Sequence, residues 1–130
     1  MKKKFGFTII ELVIVIAVVS LALILFFTQK INVDAMTRDE RRKTAINAMY
    51  YGLEEGFYIE NGYYPETISE NNLKVIDPNL FTDPDGVVLG DTGCSYTYEA
   101  ANCEDGKCKE YTLRAILEKE DNYIKKNRNN

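Results

Sequence analysis

The chain has 130 residues, with 16 lysines and arginines against 20 aspartates and glutamates, and a formal net charge of −4. This length allows one soluble domain with a small core, and the acidic balance argues against a nucleic-acid-binding surface on the chain by itself. The sequence has no histidine, which excludes His-based catalysis and His metal sites.

One apolar stretch dominates the N-terminal part of the chain. Between Phe7 and Phe27 the only charged residue is Glu11, and the only hydroxyl side chains are those of Thr8 and Ser20. A helix needs about 20 apolar residues to cross a bilayer, so this stretch predicts a membrane-spanning helix. Glu11 is unusual there, because an ionised carboxylate costs about 2.5–3.5 kcal/mol to place in hydrocarbon.

A short basic leader with three lysines, Lys2, Lys3 and Lys4, precedes this stretch. It is followed by Phe5-Gly6 and then by FTIIELVIVIAVV. These residues resemble the class III signal of type IV pilins and pseudopilins. The resemblance implies that a prepilin peptidase cuts between Gly6 and Phe7 and methylates the new amine of Phe7. It also implies an assembly role for Glu11, the fifth residue after that cut, paired with the Phe7 amine of another subunit.

The same resemblance implies a structural protein that is not an enzyme and needs no cofactor. Its implied partners are further pilin subunits of the same or another kind, the prepilin peptidase, an assembly platform with its ATPase, and the membrane. The implied location is the bacterial cytoplasmic membrane, with the N-terminus inside, and then a cell-surface pilus or pseudopilus. The implied divisions are a leader at 1–6, a membrane and assembly helix at 7–28, and a soluble domain at 29–130.

Three functions stay open on the sequence. The first is a subunit of a type IV pilus-like filament that serves adhesion, twitching motility or DNA uptake. The second is a pseudopilin of a type II secretion or competence system, which shares the N-terminal signal; the segment NGYYP at 61–65 resembles the end of many pseudopilin helices. The third, of another class, is an uncleaved single-pass membrane protein whose outer domain binds a ligand.

The helix is predicted to continue beyond the apolar stretch. No proline or glycine interrupts residues 7–51, and apolar residues recur every three or four positions from Ala45 to Phe57. This spacing predicts a helix with one face packed on a core. Asn61-Gly62, with Pro65 just beyond, predicts its end.

No catalytic arrangement is found in the sequence. Ser20 lies in the apolar stretch, and Ser69 and Ser95 have no histidine to activate them. The adjacent carboxylate pairs at 39–40 and 54–55 have a spacing that is typical of solvated helix surface, and we predict that both pairs face water.

Residues 66–93 are predicted to be irregular, with one short helix at 72–76. Asp83, Asp85 and Asp91 are weak candidates for calcium ligands in this segment. Calcium takes six to eight oxygens, and the spacing is not that of an EF-hand. Aspartates are also common in turns, and we therefore predict no metal site.

Residues 94–118 predict a β-hairpin, because Tyr111, Leu113, Ala115 and Leu117 alternate along one face. Asp-Gly at 105–106 predicts its turn, and the charged residues from Glu118 onward predict a fraying tail. The predicted fold class is α+β, with a long N-terminal helix packed on a small antiparallel sheet of three or four strands.

Three cysteines fit an oxidising compartment but leave one thiol unpaired. We favour a Cys103–Cys108 bridge across the hairpin turn, because cross-strand neighbours can meet disulfide geometry. Pairings of Cys94 with either of the other two stay open on the sequence.

Overall fold

The computed structural model describes residues 6–128, so most of the predicted leader lies outside the described residues. Helix α1 (Ile9–Tyr51) continues without a break into a π-helical segment (Gly52–Phe57) and then into α2 (Tyr58–Asn61). The predicted end of the helix is confirmed. Gly62 follows α2 with a φ of 75°, a left-handed conformation that glycine adopts without the Cβ penalty of other residues.

The π-helical segment was not predicted. Its hydrogen bonds join residues five apart rather than four, and it buries Gly52, Leu53 and Glu54. A Cβ on Gly52 would lie only 2.6 Å from Cδ1 of Ile76. The close approach of Ile76 to the helix therefore depends on a glycine at this position.

Four strands form one antiparallel sheet around β3. The strands are β1 (Tyr64–Pro65), β2 (Tyr96–Glu104), β3 (Lys107–Ala115) and β4 (Tyr123–Lys126). The predicted hairpin is β2–β3, and its two-residue turn consists of Asp105 and Gly106, with φ values of 51° and 76°. Positive φ at both central residues matches the right-handed twist of the flanking strands.

The core lies between the C-terminal half of α1 and the sheet. The helix buries Ala45, Ile46, Met49 and Leu53, and the sheet buries Tyr111, Leu113 and Ala115, followed by Leu117. Both predicted apolar faces are thus confirmed, because helix and strand periodicity each place these side chains on one side. The predicted α+β class, a long N-terminal helix on a small antiparallel sheet, is the fold of the chain.

The short helix predicted at 72–76 was wrong. That segment forms turns, and a 3₁₀ helix follows at Pro78–Phe81. Asp77 explains the shift, because its side chain accepts the Asn79 backbone N–H at 2.9 Å and so caps a helix that begins at Pro78. Proline is tolerated at the first position of a helix but not in its interior.

The fraying tail predicted from Glu118 was also wrong. β4 pairs with β3 through residues 112–115. Its first residue, Tyr123, donates its hydroxyl to Oδ1 of Asn47 on α1 at 3.0 Å, and Arg128 forms an ion pair with Glu55. Tyr123 and Arg128 of this segment thus find partners on α1 and in the π-helical segment, which the local sequence pattern does not reveal.

The chain divides into two compact units, residues 1–35 and 36–130. In the first unit the large apolar side chains between Ile9 and Val33 are all exposed within the chain, from 47% at Val15 to 85% at Ile9. The second unit contains the sheet, the core and the rest of α1.

Candidate assembly site

The start of α1 is set by a hydroxyl cap. Oγ1 of Thr8 accepts the backbone N–H of Glu11 at 3.3 Å, and the Thr8 carbonyl accepts the N–H of Leu12 at 3.1 Å. The spacing Thr-x-x-Glu is the one found at capped helix N-termini, where the hydroxyl satisfies one of the unpaired N–H groups of the first turn. The cap places Glu11 in the first turn of the helix.

Among the polar side chains of residues 6–28, only that of Glu11 lacks a hydrogen-bond or ion-pair partner in the described chain. Ser20 donates to the carbonyl of Ile16 at 2.8 Å, and Thr28 donates to that of Leu25 at 2.9 Å, so both hydroxyls are satisfied within their own helix. The Glu11 carboxylate is exposed and has no hydrogen-bond or ion-pair partner among residues 6–128. Any partner of this carboxylate must come from outside the described chain.

The two residues on either side of the expected cleavage site are exposed to solvent and unobstructed by other parts of the described chain. Phe7 is 78% exposed, and a Cβ placed on Gly6 would meet nothing within 4 Å. The helix from Ile9 to Asn61 is long and apolar enough in its first part to cross a membrane, with a window of mean hydropathy 3.1. The expected cleavage site thus lies just before the first turn of the apolar helix, which contains Glu11.

A charge cluster in the second unit is centred on the buried residues Asp39 and Arg42 and also includes Asp85, Ser95 and Glu118, and we call it the Arg42 cluster. The Arg42 guanidinium donates to Asp39 at 2.9 Å, to Asp85 at 3.0 Å and to Glu118 at 3.1 Å. Its side chain is only 3% exposed. One buried guanidinium therefore joins α1, the loop at 82–95 and the segment after β3.

Asp39 is held ionised in this cluster. Burial works to raise the pKa of Asp39, but the backbone N–H groups of Glu118 and Lys119 and the guanidinium of Arg42 outweigh burial and lower it. The pKa of Glu118 is also lowered, first by its hydrogen bond from Arg38 at 2.8 Å and then by Arg42.

A second cluster surrounds Glu54, which is 4% exposed. Its carboxylate accepts the hydroxyls of Tyr64 and Tyr111, the latter at 2.8 Å, and the backbone N–H of Arg128 at 3.2 Å. Burial, together with the Glu54 charge, raises the pKa of both tyrosines. We call these four residues the Glu54 cluster, and it joins the π-helical segment to β1, β3 and the residues after β4.

Neither cluster was predicted from the sequence. Both residues of the acidic pairs at 39–40 and 54–55 were expected to face water, and this was wrong for one residue of each pair. Asp39 and Glu54 are buried, whereas Glu40 and Glu55 are exposed. Successive helix residues point in directions about 100° apart, so one residue of an adjacent pair can be buried while the other faces solvent. The i, i+3 spacing of Asp39 and Arg42 was an available signal, because such residues are neighbours on a helix surface.

The aspartates considered for calcium organise the loop instead. Oδ1 of Asp83 accepts the backbone N–H groups of Asp85 and Val87, and Oδ2 accepts both the N–H and the hydroxyl of Ser95. Asp85 pairs with Arg42, whereas Asp91 is exposed. No group of three or more histidine, cysteine or acidic residues that could hold a metal ion occurs within residues 6–128.

The cysteines form one bridge. Cys103 and Cys108 are directly opposite each other on β2 and β3 and are joined by a disulfide, which is the pairing that we favoured from the sequence. Cys94 is a half-buried free thiol, and burial raises its pKa. The bridge closes the hairpin next to its two-residue turn.

Comparison with known proteins identifies one motif. The family model described as the prokaryotic N-terminal methylation motif matches residues 1–27. None of the curated proteins and none of the solved structures compared matches the chain. The motif implies processing by a prepilin peptidase and assembly into a filament, and the exposed apolar helix fits a membrane-anchored prepilin. Together with the α+β pilin-like fold, the motif supports a type IV pilin-like protein, and proteins of the pilin type are structural.

Proposed function

We propose that the chain is a structural subunit of a type IV pilus-like filament, cut after Gly6, methylated at Phe7 and assembled through residues 7–28. The observation that carries this proposal is the Glu11 carboxylate, which lies in the first turn of an exposed apolar helix and has no partner in the described chain. A lone carboxylate in hydrocarbon is costly, so such residues face a partner or a water-filled cavity.

The expected cut would supply that partner. Cleavage between Gly6 and Phe7 creates an amine on Phe7, four residues before Glu11. Within one helix, residues four apart are neighbours, but the same amine can also reach the carboxylate of an adjacent subunit. An ion pair between subunits offers an incoming chain an attraction that lipid cannot supply, and it sets the axial register between neighbouring helices.

The experiment compares Glu11→Val and Glu11→Gln with the matched variant Ser20→Ala in the same span. We expect all three chains to enter the membrane. Ser20→Ala should assemble normally, because its hydroxyl bonds only to its own helix. Glu11→Val should not assemble, and Glu11→Gln should give fewer or irregular filaments, because it keeps the shape but loses the charge. Filaments of normal number and length from Glu11→Val would contradict the proposed pairing.

A pseudopilin of a secretion or competence system is the second candidate, and the segment Asn61-Gly62-Tyr63-Tyr64-Pro65 favours it through its similarity to the ends of pseudopilin helices. Imaging of filaments sheared from cells separates the two, since a pilus subunit appears in long surface fibres and a pseudopilin does not. A chain that keeps Met1 and stays a monomer in the membrane would point instead to a single-pass protein with a ligand-binding outer domain.

A further inference from the structure

A groove of about 490 Å³ runs along the second unit, between the end of the helix and the segment from Val75 to Leu80. Two of the side chains that line it are open to solvent, Val75 at 86% and Tyr51 at 55%, whereas Ile76 is buried. Gly56 leaves space on the helix side of the groove, whereas the space beside Gly52 is filled by Ile76. The groove can therefore accept a side chain from another surface.

The groove is acidic. Glu55, Glu60 and Asp77 are among the residues that line it, and within the described chain no lysine or arginine does so. Glu55 pairs with Arg128, and Asp77 caps the 3₁₀ helix. Glu60 is exposed and has no partner within residues 6–128. The charge of Glu60 is thus available to a partner that carries a cation beside an apolar side chain.

The same chain has a surface of that kind on its sheet. Ile124 of β4 is directly opposite Arg114 of β3, and Lys126 is opposite Thr112. Directly opposite residues share a face of the sheet, and this face is the one turned away from the buried Leu113 and Ala115. Ile124 is 45% exposed and the adjacent Ile116 is 55% exposed. We call Arg114, Ile116, Ile124 and Lys126 the basic patch.

We propose that the acidic groove of one copy binds the basic patch of a second copy, head to tail. The proposal rests on the proposed function, because it names surfaces through which the soluble domains meet in a filament. The groove lies beside the helix, whereas the basic patch lies on the face of the sheet turned away from the helix. A contact between two different surfaces leaves one of them free at each end of the assembly, so it continues into a ring or an open polymer rather than closing as a two-fold dimer.

Charge complementarity selects a second copy of the chain as the occupant. Lys126 is exposed and without a partner in the described chain, like Glu60 in the groove. Glu99 of β2 is opposite Thr112 of β3. Its negative charge means that the positive part of this sheet face lies towards β4. Opposite charges at the rims fix the register of two apolar surfaces, and like charges there oppose the contact.

Cysteine pairing tests the contact directly, in the full chain with Cys94→Ser as background. A chain with both Val75→Cys and Ile124→Cys should give an oxidation ladder of dimers, trimers and longer species during assembly. Each single variant should stay monomeric. A dimer from either single variant would show a two-fold contact and overturn the proposal, as would disulfide linkage to a different protein.

A second test reverses the charges of Glu60 and Lys126. Glu60→Lys and Lys126→Glu should each reduce the ladder by about tenfold or more, because like charges then face each other, and the two together should restore it. Glu66→Lys, an exposed acidic residue outside the groove, is the matched control. Normal filaments without Val75–Ile124 linkage would overturn this inference and leave the proposed function intact. Loss of the proposed function would appear separately, as an unprocessed chain that makes no filaments.

Discussion

At the scale of single residues, the second unit is marked by two carboxylates that the helix turns inward. Asp39 accepts the backbone N–H groups of Glu118 and Lys119, and Glu54 accepts two tyrosine hydroxyls. Each replaces lost hydration with several donors, as a buried charge requires. The contacts of Asp39 hold the segment after β3 against the helix. Those of Glu54 hold β1, β3 and the residues after β4 against the π-helical segment.

Asp39→Asn should lower the free energy of unfolding by about 2 kcal/mol. The change removes the charge that Arg42 faces inside the protein, and loss of one member of a buried pair is strongly destabilising, although Asp85 and Glu118 remain as partners of Arg42. The measurement is urea unfolding of the full chain in detergent, followed by the circular dichroism of its tyrosines. The control Glu40→Gln removes an exposed charge paired only with Lys43 and should change stability by less than about 0.5 kcal/mol. Equal effects of the two variants would contradict the assigned role of Asp39.

The same carboxylate sets a dependence on pH. The pKa values of Asp39 and Asp83 are lowered from an ordinary value of 3.8, so their stabilising contribution is complete above that pH and is lost as the pH falls through the lower folded values. The difference in stability between the natural chain and Asp39→Asn should therefore be constant at neutral pH and shrink below pH 3.8. A difference that grows on acidification would contradict this assignment.

At the scale of elements, the π-helical segment packs closely on Ile76 through its first residue, Gly52. Gly52→Ala should destabilise the chain by about 1 kcal/mol, because the new Cβ would meet Ile76 at 2.6 Å and overpacking outweighs the gain in helix propensity. Gly56→Ala is the matched control, since its nearest neighbour, Val75, would lie 4.0 Å away. It should be neutral or slightly stabilising in the same urea experiment. A neutral Gly52→Ala would show that Ile76 moves aside without cost.

The bridged hairpin offers a second test at this scale. The double variant Cys103→Ser and Cys108→Ala should lose about 2 kcal/mol of stability, because a bridge across so short a loop restricts the unfolded chain by that amount. Cys94→Ser, the control, removes only a free thiol. Peptide mapping without reduction should recover Cys103 linked to Cys108, and recovery of Cys94 in a bridge would refute the pairing.

The sequence predicted the elements that carry a long periodic signal. The helix face at Ala45–Leu53, the alternation at Tyr111–Ala115 and the Asp-Gly turn all have local causes. β1 and β4 have only two and four residues, too few for a periodic pattern, and both depend on pairing with β3. The Glu54 cluster could not be predicted either, because the π-helical segment changes which helix residues face inward.

At the scale of the whole molecule, the chain combines two units with different partners. The first is an apolar helix with exposed side chains and a carboxylate that lacks a partner in the described chain, and the second is a domain with its own core and two buried charge clusters. Removal of the three leader lysines would change the formal charge from −4 to −7. The methylation motif and the apolar helix were predictable from the sequence because they form one continuous stretch, whereas the surfaces of the domain depend on tertiary packing.

The central claim is that the chain is a processed filament subunit, and intact mass spectrometry of the chain recovered from the membrane or from filaments tests it most directly. We expect a species that begins at Phe7 and carries one added methyl group. Gly6→Val should stay at full length, because a side chain at this position obstructs the close approach of the peptidase to the backbone. A natural chain that keeps Met1, or a Gly6→Val chain that still begins at Phe7, would contradict the account.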